Sequence, residues 1–99
     1  MEHDKRVLKG ASLLDVHFKG YDWRSEIDIE TLEMDSSSQC VLGQLFGDYQ
    51  NGLIALKLDD VSMGLDARRE AGFSTLAWDS YDWAMLEYEW KTYLRSVKS

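Results

Sequence analysis

Cys40 is the first residue whose type and position could do chemistry. It is the only cysteine, and it follows three serines at the start of an apolar block, CVLGQLFGDYQNGLIAL. A thiol at a helix N-terminus can be activated, because the helix dipole lowers its pKa. Nucleophilic catalysis also needs a base, however, and no histidine lies nearby in the sequence. We therefore expect Cys40 to be a small buried packing residue.

A second group of candidate residues is acidic. Within residues 22–35 the only basic residue is Arg24, and the carboxylates are Asp22, Glu26, Asp28, Glu30, Glu33 and Asp35. Paired carboxylates can perform acid–base catalysis or hold a hard cation, but the glycine and alternating ligands of an EF-hand are absent. We expect a solvated acidic face. The alternative is a surface that imitates the phosphate backbone and occupies a nucleic-acid-binding protein.

Catalytic and cofactor motifs are missing from the chain. There is no phosphate-binding glycine loop, no Gly-x-Ser-x-Gly and no His-Glu-x-x-His, and Cys40 with His3 and His17 makes no zinc set. A net charge of −7 argues against direct nucleic-acid binding. No apolar run suits a signal peptide or a membrane span. We expect a cytoplasmic protein that is not an enzyme and binds no metal or cofactor.

The elements that hold these residues should be helices. The chain has 99 residues, 44% of them hydrophobic, and no proline, which favours helix. We predict one mainly α domain over residues 1–99, small and compact, with four to five helices. Residues 1–5 are predicted to be a flexible tail, and FSTLAW (73–78) to be extended or irregular.

The first half of the chain predicts three helices and one loop. Apolar residues four, three and four apart predict a helix over 5–18, with a stripe of Val7, Ala11, Leu14 and Phe18. In residues 23–34, Ile27 and Ile29 alternate as in a strand, but Ile29, Leu32 and Met34 suit a short helical turn capped by Asp28. We favour a loop that enters a short helix. The serines at 36–38 should cap a helix over 38–46, and Asp48 should cap the helix that follows it.

Small residues should line one side of the 38–46 helix. On a helical wheel Cys40, Gly43 and Gly47 fall together, so a second helix could approach closely there. Gly52 lies in the middle of the following helix and should weaken it. Residues 59–73 predict a further helix, capped by Asp60 or Ser62 and ended by a left-handed Gly72 with Phe73 closing it.

The last helix, from residue 80 to about 97, is apolar on two opposed faces. One stripe consists of Trp83, Leu86, Trp90, Leu94 and Val97. Tyr81, Met85 and Tyr88 lie nearly opposite. A helix with two apolar faces needs two packing partners. Either the same chain covers both faces, or the Tyr81–Met85–Tyr88 face binds a partner protein or a second copy.

Several segments together carry a resemblance. WRSEIDIETLEM, CVLGQLFGDYQNGLIAL, AGF and a closing aromatic helix with Trp90 resemble a family of short uncharacterised proteins from actinobacteria and their bacteriophages. The similarity spans roughly residues 20–95. It implies a phage or host accessory protein rather than a metabolic enzyme, and it implies no functional residues. The expected function is therefore non-catalytic binding of another protein, with an acidic inhibitor of a nucleic-acid-binding protein as the alternative.

Overall fold

Helix α1 (Lys5–His17) follows the sequence prediction. In the computed structural model, which describes residues 3–59, 67–75 and 80–98, the Asp4 carboxylate caps this helix by accepting from the Arg6 backbone N–H at 2.8 Å. Val7, Ala11 and Leu14 are buried. Asp4 and Lys5, which the sequence assigned to a tail, are the cap and the first residue of this helix.

The segment between α1 and residue 35 is a loop with two short helical turns. Helix α2 (Trp23–Glu26) is a single turn, and a 3₁₀ turn follows at Ile29–Thr31. The Asp28 carboxylate caps that turn by accepting from the Glu30 backbone N–H at 3.0 Å. The predicted loop, short helix and cap are confirmed.

Helix α3 (Val41–Phe46) begins later than the sequence predicted. The Ser36 hydroxyl accepts from the backbone N–H groups of Ser38 and Gln39 at 3.3 and 3.1 Å, so it closes a turn that precedes the helix. Such local bonds offer the backbone an alternative to helix. The N-cap is Cys40, whose Sγ accepts from the Gly43 N–H at 3.2 Å. The prediction of a serine cap at the start of this helix was wrong.

Contrary to the sequence prediction, the small residues Cys40, Gly43 and Gly47 do not form a face against a second helix. Gly47 is the C-cap of α3, with φ at +95°, and a Cβ added there would meet nothing within 4 Å. Gly43 lies against the backbone of the 36–38 turn. The close approach of α4 (Tyr49–Ala55) to α3 instead occurs at Gly52, where an added Cβ would lie 2.6 Å from Leu42 Cβ. The predicted cap is confirmed, because Asp48 accepts from the Asn51 N–H at 2.7 Å.

Residues 67–73 form a helix end of the predicted kind. Residues 67–70 are helical, and Gly72 has φ at +74°. The Phe73 N–H donates to Arg68 O at 2.9 Å and the Gly72 N–H donates to Arg69 O at 3.1 Å, which is the Schellman pattern. The caps predicted at Asp60 and Ser62 lie outside the described residues. Of the segment 73–78, residues 73–75 are described, and they are irregular.

The longest helix, α5 (Ser80–Lys98), packs on this helix end and on α1. Leu86, Trp90 and Leu94 are fully buried, and Trp83 is partly buried against the core. The Trp90 indole N–H donates to Gly72 O at 2.7 Å. Val97 is 45% exposed because the helix runs past the core, so the buried stripe ends at Leu94, one residue earlier than predicted.

The chain is a compact, mainly helical globule, as the sequence predicted. Its radius of gyration is 12.4 Å, against about 12.6 Å expected for a compact domain of this length. No strand occurs in residues 3–59, 67–75 or 80–98. Among the helices that the structure describes, none is both long and apolar enough to cross a membrane.

Candidate interaction surfaces

The Tyr81–Met85–Tyr88 face is open to solvent. Tyr81 is 68% exposed, Met85 41% and Tyr88 60%. The opposite side of α5 carries the buried Leu86 and Trp90, so the exposed face stands on a helix that is held from behind. The sequence left open whether the chain covers both faces of this helix, and among residues 3–59, 67–75 and 80–98 nothing covers the Tyr81–Met85–Tyr88 face.

Charged groups border this face on one side. Met85 lines a cleft of about 300 Å³ together with Arg6, Arg69 and Asp82. The pKa of Arg6 is raised, first by its hydrogen bond with Asp4 and to a smaller extent by the nearby carboxylates of Glu89 and Asp82. The face is therefore an apolar strip beside a polar cleft that holds both signs of charge.

The six carboxylates of the acidic segment are all exposed and are not drawn into one site. They are Asp22, Glu26, Asp28, Glu30, Glu33 and Asp35. None takes part in the ion pairs that join described residues. Within the described ranges, no three His, Cys, Asp or Glu side chains are close enough to hold a metal ion. The segment is a solvated acidic surface.

Cys40 is placed as a packing residue. Its side chain is 1% exposed, and burial raises the pKa of its thiol. A reactive thiol needs the opposite shift, because the thiolate is the nucleophile. The hydrogen bond that its sulfur accepts at the start of α3 is a cap, and no described base contacts it.

An ion-pair cluster that the sequence did not predict joins three helices. The Arg24 guanidinium donates to both Asp15 carboxylate oxygens, at 2.7 and 3.1 Å, and to the Tyr93 hydroxyl at 2.7 Å. It also stacks over the Trp23 ring, with 4.5 Å between Cζ and the ring centroid, while the Trp23 indole donates to Asp15 at 2.9 Å. The hydrogen bond from Arg24 holds the pKa of Asp15 below its ordinary value.

A second unpredicted feature is an aromatic cleft between the end of α1 and α3. It has a volume of about 390 Å³ and is lined by Phe18, Tyr21, Glu26, Gln44 and Leu45. The rings of Phe18 and Tyr21 lie 5.8 Å apart and are tilted by 44°. The signal available in the sequence was the spacing of Phe18, Tyr21 and Glu26, but nothing in it brings Leu45 alongside.

Comparisons with protein-family models, curated proteins and solved structures found no match to this chain. The functional conclusion therefore rests on the geometry of the chain itself.

Proposed function

We propose that this protein acts without catalysis, by binding another protein through the Tyr81–Met85–Tyr88 face. The observation that carries the proposal is the exposure of three large apolar or aromatic side chains along one side of α5 (68%, 41% and 60%). Tyrosine and methionine are enriched at protein interfaces, whereas charged residues are depleted from the interface core.

The setting of the face supports this function. The buried residues behind it, Leu86, Trp90 and Leu94, fix the helix on the core, so little backbone ordering is needed when a partner binds. Asp82 and Glu89 lie on the same flank and would form a polar rim. An apolar centre with a polar rim is the usual anatomy of such an interface.

The partner is either a different protein or a second copy of this chain. The resemblance to actinobacterial and phage proteins supports a search for the partner in an actinobacterial host. Light scattering over a wide concentration range tests the second copy first. A monomer at every concentration would exclude the homodimer and leave the different protein.

Capture from the host lysate then tests the face itself. Wild-type chain should retain a partner that Tyr88→Ala loses, because the 60% exposed Tyr88 ring is the contact. Val16→Ala is the matched control, since Val16 is 76% exposed but lies on α1. Equal capture by wild type and Tyr88→Ala would contradict the proposal.

The acidic segment supports a second candidate, an inhibitor that occupies the basic site of a nucleic-acid-binding protein. Its six exposed carboxylates form no ion pair with described residues, so their field is available to a basic partner. Binding through this surface should weaken steeply as ionic strength rises and the Debye length falls from about 30 Å at 0.01 M to about 3 Å at 1 M. It should also survive Tyr88→Ala. Binding through the Tyr81–Met85–Tyr88 face should instead be insensitive to ionic strength and be lost in Tyr88→Ala.

A further inference from the structure

The aromatic cleft is built by a tight turn after α1. Gly20 has φ at +83°, and the Tyr21 N–H donates to Phe18 O at 2.8 Å, so the chain turns sharply and brings the two rings side by side. Phe18 is held from behind by Phe46, with 5.3 Å between ring centroids, and by His17 at 4.7 Å. The cleft wall is therefore formed in advance of any ligand.

One carboxylate lies in the same cleft. Glu26 lines it, is exposed, and takes part in none of the ion pairs found among the described residues. Glu26 is near enough to Tyr21 that a hydrogen bond between the two side chains raises the pKa of the phenol. The Gln44 amide is already used, because it bonds the backbone of Asp28 and Gln39. A carboxylate has about four acceptor positions, so Glu26 can accept from Tyr21 and still offer an acceptor to a ligand beside the aromatic rings.

Elsewhere in this chain, aromatic rings and a carboxylate already bind a side chain. Around Arg24, a ring (Trp23), a tyrosine (Tyr93) and a carboxylate (Asp15) together bind one guanidinium, with the contacts given above. The open cleft repeats those parts with Phe18, Tyr21 and Glu26. A planar guanidinium can stack flat on a ring face and donate two parallel hydrogen bonds to a carboxylate at once, whereas an ammonium has neither the plane nor the fork of donors.

We propose that this cleft binds the guanidinium of an arginine side chain presented by a partner protein. Charge complementarity supports that occupant, because the chain carries a net charge of −7 and the cleft borders the acidic segment. Between residues 18 and 45 the basic residues are Lys19 and Arg24, and Arg24 is bound by Asp15. The cleft volume of about 390 Å³ lies at the lower end of the range of about 300–1,000 Å³ that ligand sites occupy, so the cleft has room for a guanidinium group.

This site goes beyond the function proposed above, because none of its lining residues belongs to the Tyr81–Met85–Tyr88 face. The two proposals can therefore fail separately. Loss of the arginine site would leave binding through α5 untouched.

The test is a titration of the whole chain with a blocked Gly-Arg-Gly peptide, followed by amide NMR signals. Saturable shifts are expected at Tyr21, Gln44 and Leu45. The matched ligands are the same peptide with citrulline, which keeps the shape and removes the charge, and with lysine. Both should bind several-fold more weakly, and this comparison needs no variant of the protein.

Variants then locate the contact. Glu26→Gln should weaken the binding of the arginine peptide about tenfold, the usual effect of losing a charged hydrogen-bond partner. Tyr21→Leu should weaken it about threefold through loss of a cation–π contact. Glu30→Gln is the control, because it removes an exposed carboxylate outside the cleft, and it should bind as wild type does.

Four results would overturn the proposal: no saturable shift, equal binding of the citrulline peptide, equal binding of the lysine peptide, or equal weakening by Glu26→Gln and Glu30→Gln. The last would mean that the acidic surface attracts cations generally.

Discussion

A thiol takes the place of the usual hydroxyl or carboxylate at the N-cap of α3. Cys40 is 1% exposed and its sulfur accepts from the Gly43 N–H. Burial raises the pKa of this thiol, so little thiolate forms at neutral pH. We expect a thiol reagent to label the folded protein slowly and to react much faster once denaturant unfolds the chain. Rapid labelling without denaturant would contradict this.

The ion pair between Asp15 and Arg24 should make stability depend on acid pH. The hydrogen bond from Arg24 lowers the pKa of Asp15 in the folded state. The stabilisation is therefore complete above the unfolded pKa of about 3.9 and is lost as pH falls through the lower folded value.

Asp15→Asn measures this contribution, since the amide oxygen can still accept from Trp23. In urea unfolding at neutral pH, Asp15→Asn should lower the free energy of unfolding by less than about 1 kcal/mol, because exposed ion pairs are screened. The Arg24 and Asp15 side chains are 26% and 50% exposed. The difference from wild type should vanish at strongly acid pH. Asp22→Asn, which removes an exposed carboxylate, should keep the wild-type pH dependence.

At the scale of elements, the junction of α3 and α4 depends on Gly52. Helix propensity alone favours alanine over glycine by about 1 kcal/mol. An added Cβ, however, would lie 2.6 Å from Leu42 Cβ and 3.1 Å from Phe46. We expect Gly52→Ala to destabilise the protein by about 1–3 kcal/mol, as overpacking does. Thermal unfolding measures it, with Gln50→Ala as a neutral control on the exposed side of α4. A stabilised Gly52→Ala protein would show that the helices can separate freely.

Local chemistry explains which elements could be predicted from the sequence. Asp28, Asp48 and Gly72 act on backbone groups within a few residues of themselves, so their roles follow from sequence spacing. The start of α3 could not be predicted in this way. Ser36 and Cys40 both accept backbone hydrogen bonds within a few residues of themselves, so spacing alone does not tell which of them caps the helix.

At the scale of the molecule, the Trp90 indole joins α5 to the 71–73 turn and to α1. Its N–H bonds Gly72 O, its ring stacks on Phe73 with 5.8 Å between centroids, and the α1 residue Gly10 lies against both Trp90 and Ala71 O. These contacts hold together three segments that are distant in sequence.

Trp90→Phe should therefore lower the free energy of unfolding by about 1–3 kcal/mol, because the buried Gly72 carbonyl loses its donor. Far-UV circular dichroism in urea measures it. Trp83→Phe is the matched control, since Trp83 is only partly buried on the same helix and should lose less. Equal losses would mean that ring volume, not the hydrogen bond, is responsible.

The candidate sites show where sequence reasoning stops. Tyr81, Met85 and Tyr88 lie on one helix, so helical periodicity alone predicted that they share one side, but it left open whether the chain covers that side. The Arg24 cluster joins residues 69 positions apart in sequence, and the aromatic cleft joins the 18–26 segment to Leu45. Neither has a local pattern, because each exists only after α1, α2 and their neighbours have packed.

The burial of Trp23 and Trp90, which are 1% and 0% exposed, also gives the protein two internal optical reporters. Indole emission moves to longer wavelength when water reaches the ring. The emission wavelength of Trp23 would report on the junction of α1 and α2, and that of Trp90 on the packing of α5 against the core. Chains in which Trp23 or Trp90 is the sole remaining tryptophan of the four would reveal whether the two ends of the molecule open in a single step or in sequence.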